Sequence, residues 1–264
     1  MVTALPPHKL ARRAAAALVF GTLLSTAGAA FATPETSVRV LTEEYPPYNF
    51  TVDGKLTGLS TEVVQAVIKE VQKETPLKAS FTSMPWARAY EIAQIEENVL
   101  IYSMNRAKHR EQLFKWVGVV APSDYYLYAL KKRRLQVRKL DDAQTLQVGT
   151  VNQAIGEQYL LQRGFMLGRN LQSSAKYEQG YDKLKLGRID LWIINELGAA
   201  QIARQAGDNP DELLEKVLFL PEVSAGNYLA FSPSTPDALV ERFRKALETI
   251  KKNGTYEAIQ KKWR

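Results

Sequence analysis

The 264-residue chain contains no cysteine, which excludes disulfides, a thiolate nucleophile and zinc sites of the usual thiolate type. Histidine is nearly as scarce: of the two, His8 and His109, the first lies in an N-terminal segment read below as removable. A Ser-His-Asp triad would therefore depend on His109, and no G-x-S-x-G elbow accompanies it. Neither G-x-x-x-x-G-K-[ST] nor G-x-G-x-x-G occurs, which argues against a bound nucleotide. No apolar run beyond the N-terminus approaches the length of a transmembrane helix, and there is no internal repeat or low-complexity tract. Among the 28 acidic residues any two might form a hydrolytic pair, but binding without chemistry, with no metal and no cofactor, is the simpler account.

What is present begins with Lys9, Arg12 and Arg13 ahead of an apolar run from Ala14 to Leu24 that is too short to span a bilayer. Small residues follow, ending in Ala30-Phe31-Ala32, the A-x-A pattern of a signal-peptidase site. Residues 1–32 read as a signal peptide cleaved near Ala32, so the mature protein is expected in the periplasm. Those three basic residues account for part of the formal net charge of +7, and the remainder is too mildly basic, and too evenly mixed with acids, to suggest a nucleic-acid partner. A domain of this size buries enough core to do without disulfides after export.

Short apolar strands alternate with amphipathic helices, the pattern of an α/β fold. Val38–Leu41 reads as the first strand. Ser60 or Thr61 is expected to cap a helix that places Val63, Val64, Val67, Ile68 and Val71 on one face. Leu77–Thr82 reads as a strand, Pro85 opens a helix running to about Glu97, and Val99–Tyr102 is the next strand. The rhythm resumes at Leu146–Val148, with a helix from about Gln153 stopped by Gly164, a helix ending near Gly187, an apolar strand Ile189–Ile194, and a helix over about 196–206. Near the C-terminus, Thr235 and Pro236 open a helix bearing Leu239, Phe243, Leu247 and Ile250 and ended by Asn253-Gly254.

Two extended stretches, 125–131 and 226–231, interrupt this rhythm. A chain that leaves one lobe, builds another and returns needs two such crossings. The expected lobes are 33–126 with 230–264, and 130–225, with hinges at the crossings and a site in the cleft between them.

The most charged segment follows Val99–Tyr102: four of the five residues from Arg106 to Arg110 are Arg, Lys or His. A solvated helix start, a nucleic-acid patch and a receptor for one anion are the competing readings. Elsewhere, Glu43, Tyr45 and Tyr48 sit in a Pro-rich loop after a strand, where ligand contacts concentrate. Trp86 and Arg88 lie at a strand-to-helix junction, with core packing the alternative for the indole. Thr150 and Asn152 precede a helix whose free N–H groups could receive an anion, or supply its cap.

The order and spacing of several segments resemble the extracellular solute-binding proteins of family 3, the periplasmic receptors of polar amino-acid ABC importers. The resemblance spans essentially 33–264 and rests on TEEYPPYNF, GLSTEVVQAV, NRAKHREQLFKWVG, VGTVNQ and GRIDLWIINE; SMPWARAY is similar to a subgroup of that family. It implies a two-lobed periplasmic binding protein, a monomer with no enzymatic activity, that hands a small solute to a membrane permease. A stand-alone sensory receptor domain of the same fold is the alternative. It also implies that Arg110, six residues before Trp116, holds a ligand carboxylate. Guanidinium suits that task because it pairs with carboxylate in a planar, bidentate way. Ser103 and Asn105 match polar positions of that motif, whereas Ala107 replaces the usual hydroxyl. The family's ammonium-binding aspartate is matched by Asn195, which carries no charge. Either Glu43 supplies the missing carboxylate, or the solute lacks a free α-ammonium, or Asn195 simply caps the following helix.

Overall fold

A computed structural model describes residues 35–263; the expected signal peptide lies outside them. The chain opens with β1 (Thr36–Thr42), a hairpin of β2 (Phe50–Val52) and β3 (Lys55–Thr57), α1 (Leu59–Val71), β4 (Leu77–Ser83) and α2 (Trp86–Ile95). It continues through β5 (Val99–Asn105), β6 (Lys115–Ala121), β7 (Tyr125–Leu130), β8 (Val148–Val151), α3 (Ile155–Gln162), β9 (Leu171–Ser174) and α4 (Tyr177–Lys185). β10 (Leu191–Asn195), α5 (Glu196–Gln205), the single turn α6 (Pro210–Leu213) and β11 (Leu214–Phe219) follow. β12 (Asn227–Phe231), α7 (Asp237–Lys252) and α8 (Thr255–Lys262) complete it.

Two five-stranded sheets share one plan. The first has the order β4-β1-β5-β12-β6 and the second β9-β8-β10-β7-β11. In each, three parallel strands are followed by an antiparallel one, β12 or β7, against which the last strand is again reversed. The chain passes to the second sheet over residues 122–124 and returns over 220–226. Both extended stretches noted above are strands within these sheets, and the passages lie just before them.

Local physics explains where the boundaries fall. Ser60 and Thr61 do not cap α1; Gly58 precedes the helix, and its first amides donate instead to carbonyls of the Pro-rich loop. Leu59 N–H bonds Pro47 O at 2.9 Å and Ser60 N–H bonds Tyr48 O at 2.8 Å, so the loop itself satisfies the open helix end. Only glycine fits at 58, where φ is +114° and an added Cβ would stand 2.5 Å from Tyr48 O. The predicted strand at 146–148 starts later, at Val148: Leu146 N–H closes a short 3-10 turn onto Ala143 O, and Gln147 N–H bonds the Asp190 carboxylate at 2.9 Å.

The expected apolar faces are buried. Val63, Val64, Val67, Ile68 and Val71 of α1 pack with Leu239, Phe243, Leu247 and Ile250 of α7 in one cluster on the first sheet, each such side chain contributing about 1.5–3 kcal/mol. A second cluster fills the other sheet around Val148, Leu160, Leu171 and Ile193. A third spans both, joining Leu41, Tyr45 and Trp86 to Tyr177, Trp192 and Ala199. That shared core brings the carboxyl ends of both parallel strand sets to one cleft.

Candidate functional site: a buried cleft between two sheets

Arg110 sits in a 3-10 turn, Lys108–Arg110, that follows β5. Its side chain is fully buried. The guanidinium donates to Asn105 O at 3.2 Å, to Gln153 O at 3.1 Å and to Gln158 Oε1 at 2.9 Å. It lies over Tyr90 and Trp86, 5.0 and 5.9 Å from the ring centroids. Two of those acceptors belong to the second sheet's side, so Arg110 bridges the cleft. Trp86 joins it there, its indole N–H donating to the same Gln153 carbonyl at 2.9 Å. Burial pulls the guanidinium pKa down while neighbouring tyrosines oppose that shift, and three acceptors keep the charge solvated by protein. The rest of the basic segment behaves differently. Lys108 and His109 are exposed, and Arg106 pairs with Glu111.

Glu43 follows β1 at the same end of the first sheet and is 5% exposed. Its carboxyl pKa is held well above the usual range, first by burial and then by the charge of Glu178, with Glu44 adding to the shift; the Tyr177 hydroxyl, which donates to it, and Arg110 work against it. Tyr45 stacks on Tyr177 with centroids 4.0 Å apart and planes 11° from parallel. Tyr45 also presses on α5, where a Cβ at Gly198 would meet its ring at 2.9 Å. Tyr125 completes the aromatic lining, and burial pushes its hydroxyl up to about 12. A cavity of about 370 Å³ opens beside Glu43, lined by Glu44, Thr51, Ser83 and Met84 on one side and by Ala175 and Lys176 on the other. A larger groove of about 510 Å³ between α1 and α7 lies on the outer face of the first sheet, away from these strand ends. Among the described residues no three His, Cys, Asp or Glu side chains are grouped to hold a metal.

The remaining residues singled out in the sequence divide into two groups. Tyr48, Asn105 and Asn195 are buried, and each ties down a passage between the sheets. The Tyr48 hydroxyl donates to Pro122 O at 3.0 Å, and the Asn195 amide to Ser123 Oγ at 2.8 Å. Asn105 donates to Val223 O at 3.1 Å. Asn195 also caps α5, accepting from Gly198 N–H at 2.9 Å. Ser103 is a bulge residue of β5 with φ +59° and hydrogen-bonds Asn49 beneath the Pro-rich loop. Thr150 is buried within β8, opposite Ser173.

Arg88 does not reach the cleft. It is exposed, because the buried face of α2 carries Trp86, Ala89, Tyr90 and Ala93 and a residue two positions after Trp86 points away from it. Asn152 is also exposed and gives its N–H to Ser174 O at 2.9 Å. At the start of α3 the backbone turns through Gln153, φ +59°, whose N–H is taken by the Glu157 carboxylate at 2.8 Å. That turn aims the Gln153 carbonyl, not its amide, at Arg110.

The match to known families decides what kind of cleft this is. The model for bacterial extracellular solute-binding proteins, family 3, matches residues 38–264. The chain belongs to that family. Its members are binding proteins, and this solute-binding protein is not an enzyme. The arginine-binding periplasmic protein of Mannheimia haemolytica is 25% identical over 226 residues, covering 85% of this chain and 89% of that protein. The L-cystine-binding protein TcyJ of Escherichia coli is 24% identical over 223 residues, covering 83% and 79%. Among solved structures, an ancestral arginine-binding protein bound to arginine superposes with a TM-score of 0.72 at 23% identity, covering 87% of this chain and 98% of that one. A histidine kinase sensor domain similar to periplasmic binding proteins gives 0.73 at 20% identity, covering 86% and 95%. The fold is that of the periplasmic binding proteins. No helix among the described residues is long and apolar enough to cross a membrane.

Three contributors to the cleft have no signal in the sequence pattern: Gln153, Gln158 and Tyr177. Gln153 and Gln158 flank a helix start that had been read for its amides. Tyr177 opens α4, an element recognised by its end at Gly187 alone.

Proposed function

We propose that this solute-binding protein acts in the periplasm as a monomer, capturing a small polar solute that carries a carboxylate, an amino acid or a relative of one, for an ABC importer. The observation that supports this most is the buried Arg110 guanidinium at the junction of the two sheets, met by neutral acceptors from both. A solute carboxylate would replace Gln153 O and Gln158 Oε1 with a bidentate, charge-assisted pair, which is stronger than bonds to neutral oxygens. The passages at 122–124 and 220–226, held by Tyr48, Asn195 and Asn105, then serve as the hinges about which the halves open and close.

The relatives named for binding arginine and cystine support an amino-acid type of solute. A sensory receptor domain of the same fold is the second reading, since a histidine kinase sensor domain shares it. A thermal-shift screen across amino acids, small carboxylates and oligopeptides tests solute capture, because a ligand of the native state raises stability by RT ln(1 + [L]/Kd). The expected result is a shift with a carboxylate-bearing solute that is lost in Arg110→Lys. Solute uptake that depends on the protein separates importer from sensor.

A further inference from the structure

The end of the second sheet opposite the cleft gathers basic and apolar side chains on one exposed face. The parallel strands β8, β9 and β10 begin there; β7, antiparallel to β10, ends there and runs into the basic stretch from Lys131 to Arg134. Hydrogen bonds hold these loops side by side. Gln147 gives its backbone N–H to Asp190, the partner of Arg133, and its side-chain amide to Arg169 O at 2.7 Å. Gln172 donates to Gln147 Oε1 at 3.1 Å and to Arg188 O at 3.0 Å. Arg133 and Lys185 are paired with Asp190 and Asp208, but the exposed Lys132, Arg134, Arg169 and Arg188 have no carboxylate partner among the described residues. Nearby, Asp141 faces Lys139 and Asp142 accepts from the backbone of Arg138 and Lys139. Asp211 and Glu212 precede β11, at the opposite edge of the sheet from β9.

Apolar side chains are interleaved with this charge. Met166 and Leu167, each more than half exposed, form the tip of the loop entering β9. Leu186, also more than half exposed, shares a hollow with Lys132, Arg133 and Lys185. The tip is held in place. Phe165 is buried behind it, Met166 N–H donates to Asn170 Oδ1 at 2.8 Å, and Asn170 donates to Gln144 O at 2.9 Å. Arg169 lies against it, its guanidinium 3.7 Å from Met166 Sδ. A basic run alone is a solvated face, and exposed apolar side chains scattered singly need no explanation. Apolar side chains held outward among unanswered cations match a bilayer with anionic headgroups, whose phosphates meet the cations while its acyl boundary takes the apolar tip. Nucleic acid offers no such layer, and a small anion has no use for the tip. We infer that this end of the second sheet is a peripheral membrane-binding face for anionic phospholipid. The cleft lies at the other ends of the same strands, so this face stands apart from solute capture.

Co-sedimentation of the mature protein with vesicles tests this, with phosphatidylcholine alone against an equal mixture of phosphatidylcholine and phosphatidylglycerol. The protein is expected on the mixed vesicles only, and less of it as salt rises. Each neutralised surface charge should weaken partitioning about fivefold, so Lys132→Gln combined with Arg188→Gln should cost about tenfold or more. Neither side chain is committed to the fold, so the double variant should keep its melting temperature. Leu167→Trp places an indole at the tip, and its emission should shift to the blue on mixed vesicles beyond any change in the wild type. Equal binding to both vesicles or to neither, unchanged partitioning in the folded double variant, or an unshifted indole would overturn the inference. So would displacement by inorganic phosphate at matched ionic strength, which would mark a small-anion site, or tighter binding to duplex DNA than to mixed vesicles. The thermal shift with solute should be intact in the double variant, so failure of either reading leaves the other standing.

Discussion

Arg110 and Glu43 are both buried at the mouth of the same cleft, yet the protein treats their charges in opposite ways. Arg110 has three oxygen acceptors and two aromatic faces. Glu43 has its carboxyl pKa pushed up by burial and by the charges of Glu178 and Glu44, with the Tyr177 hydroxyl and Arg110 only partly opposing that. One charge is answered from within, so the cleft can close around it; the other is crowded by charges of its own sign. A buried cation with neutral acceptors is a ready exchange site for an anion, whereas a crowded carboxylate favours either a proton or a cation. The cleft is polarised, and the polarity follows from which residues each strand end delivers.

The largest effect expected from disturbing this contrast is at Arg110. Arg110→Ala would leave Asn105 O, Gln153 O and Gln158 Oε1 short of a donor and open a void, costing about 2–5 kcal/mol in urea denaturation. Arg110→Lys should recover only part of that, since a point charge cannot meet three spread acceptors. At the opposite pole, Glu43 binds its proton more tightly folded than unfolded. The folded state therefore holds more protons, and its stability falls as pH rises from about the ordinary value of 4.5 through the raised folded value. Denaturation measured across that range should show the decline, and Glu43→Gln should flatten it. If the decline survives the substitution, Glu43 is not the crowded group. Next in size comes Asn195→Ala, which removes a helix cap and the bond to Ser123 and should lower stability by about 1–2 kcal/mol. Smallest are Arg106→Ala and Lys108→Ala, each below about 1 kcal/mol in stability and in solute affinity, because exposed charges, whether paired like Arg106 with Glu111 or not, contribute little. Losses at these two equal to that at Arg110 would mean a diffuse electrostatic patch in place of a single receptor.

The contrast between the two poles also shows what could be read from the chain. The alternation of apolar strands with amphipathic helices, and faces such as Val63, Val64, Val67, Ile68 and Val71, led directly to the α/β fold, because burial follows periodicity. Arg110 was set apart from its basic neighbours only by the family resemblance, which places an arginine six residues before an aromatic; charge alone left the segment's role open. Its partners carry no such mark, since a glutamine in a left-handed turn looks like any loop residue until the fold carries its carbonyl across the cleft. Arg88 shows the limit of proximity in sequence: two positions after Trp86, the helix turns it from the buried face of α2 to solvent. Tyr48, Asn105 and Asn195 stand near the cleft, and each donates a side-chain hydrogen bond to a passage between the sheets, a use that no single segment reveals.

The central claim, that one solute is held between a cationic and an acidic pole, is tested most directly by calorimetry with the tightest binder from the solute screen on three proteins: wild type, Arg110→Lys and Glu43→Gln. One site per chain is predicted, with each substitution weakening binding about tenfold or more. Wild-type affinity retained by both variants, with both folded, would contradict the account.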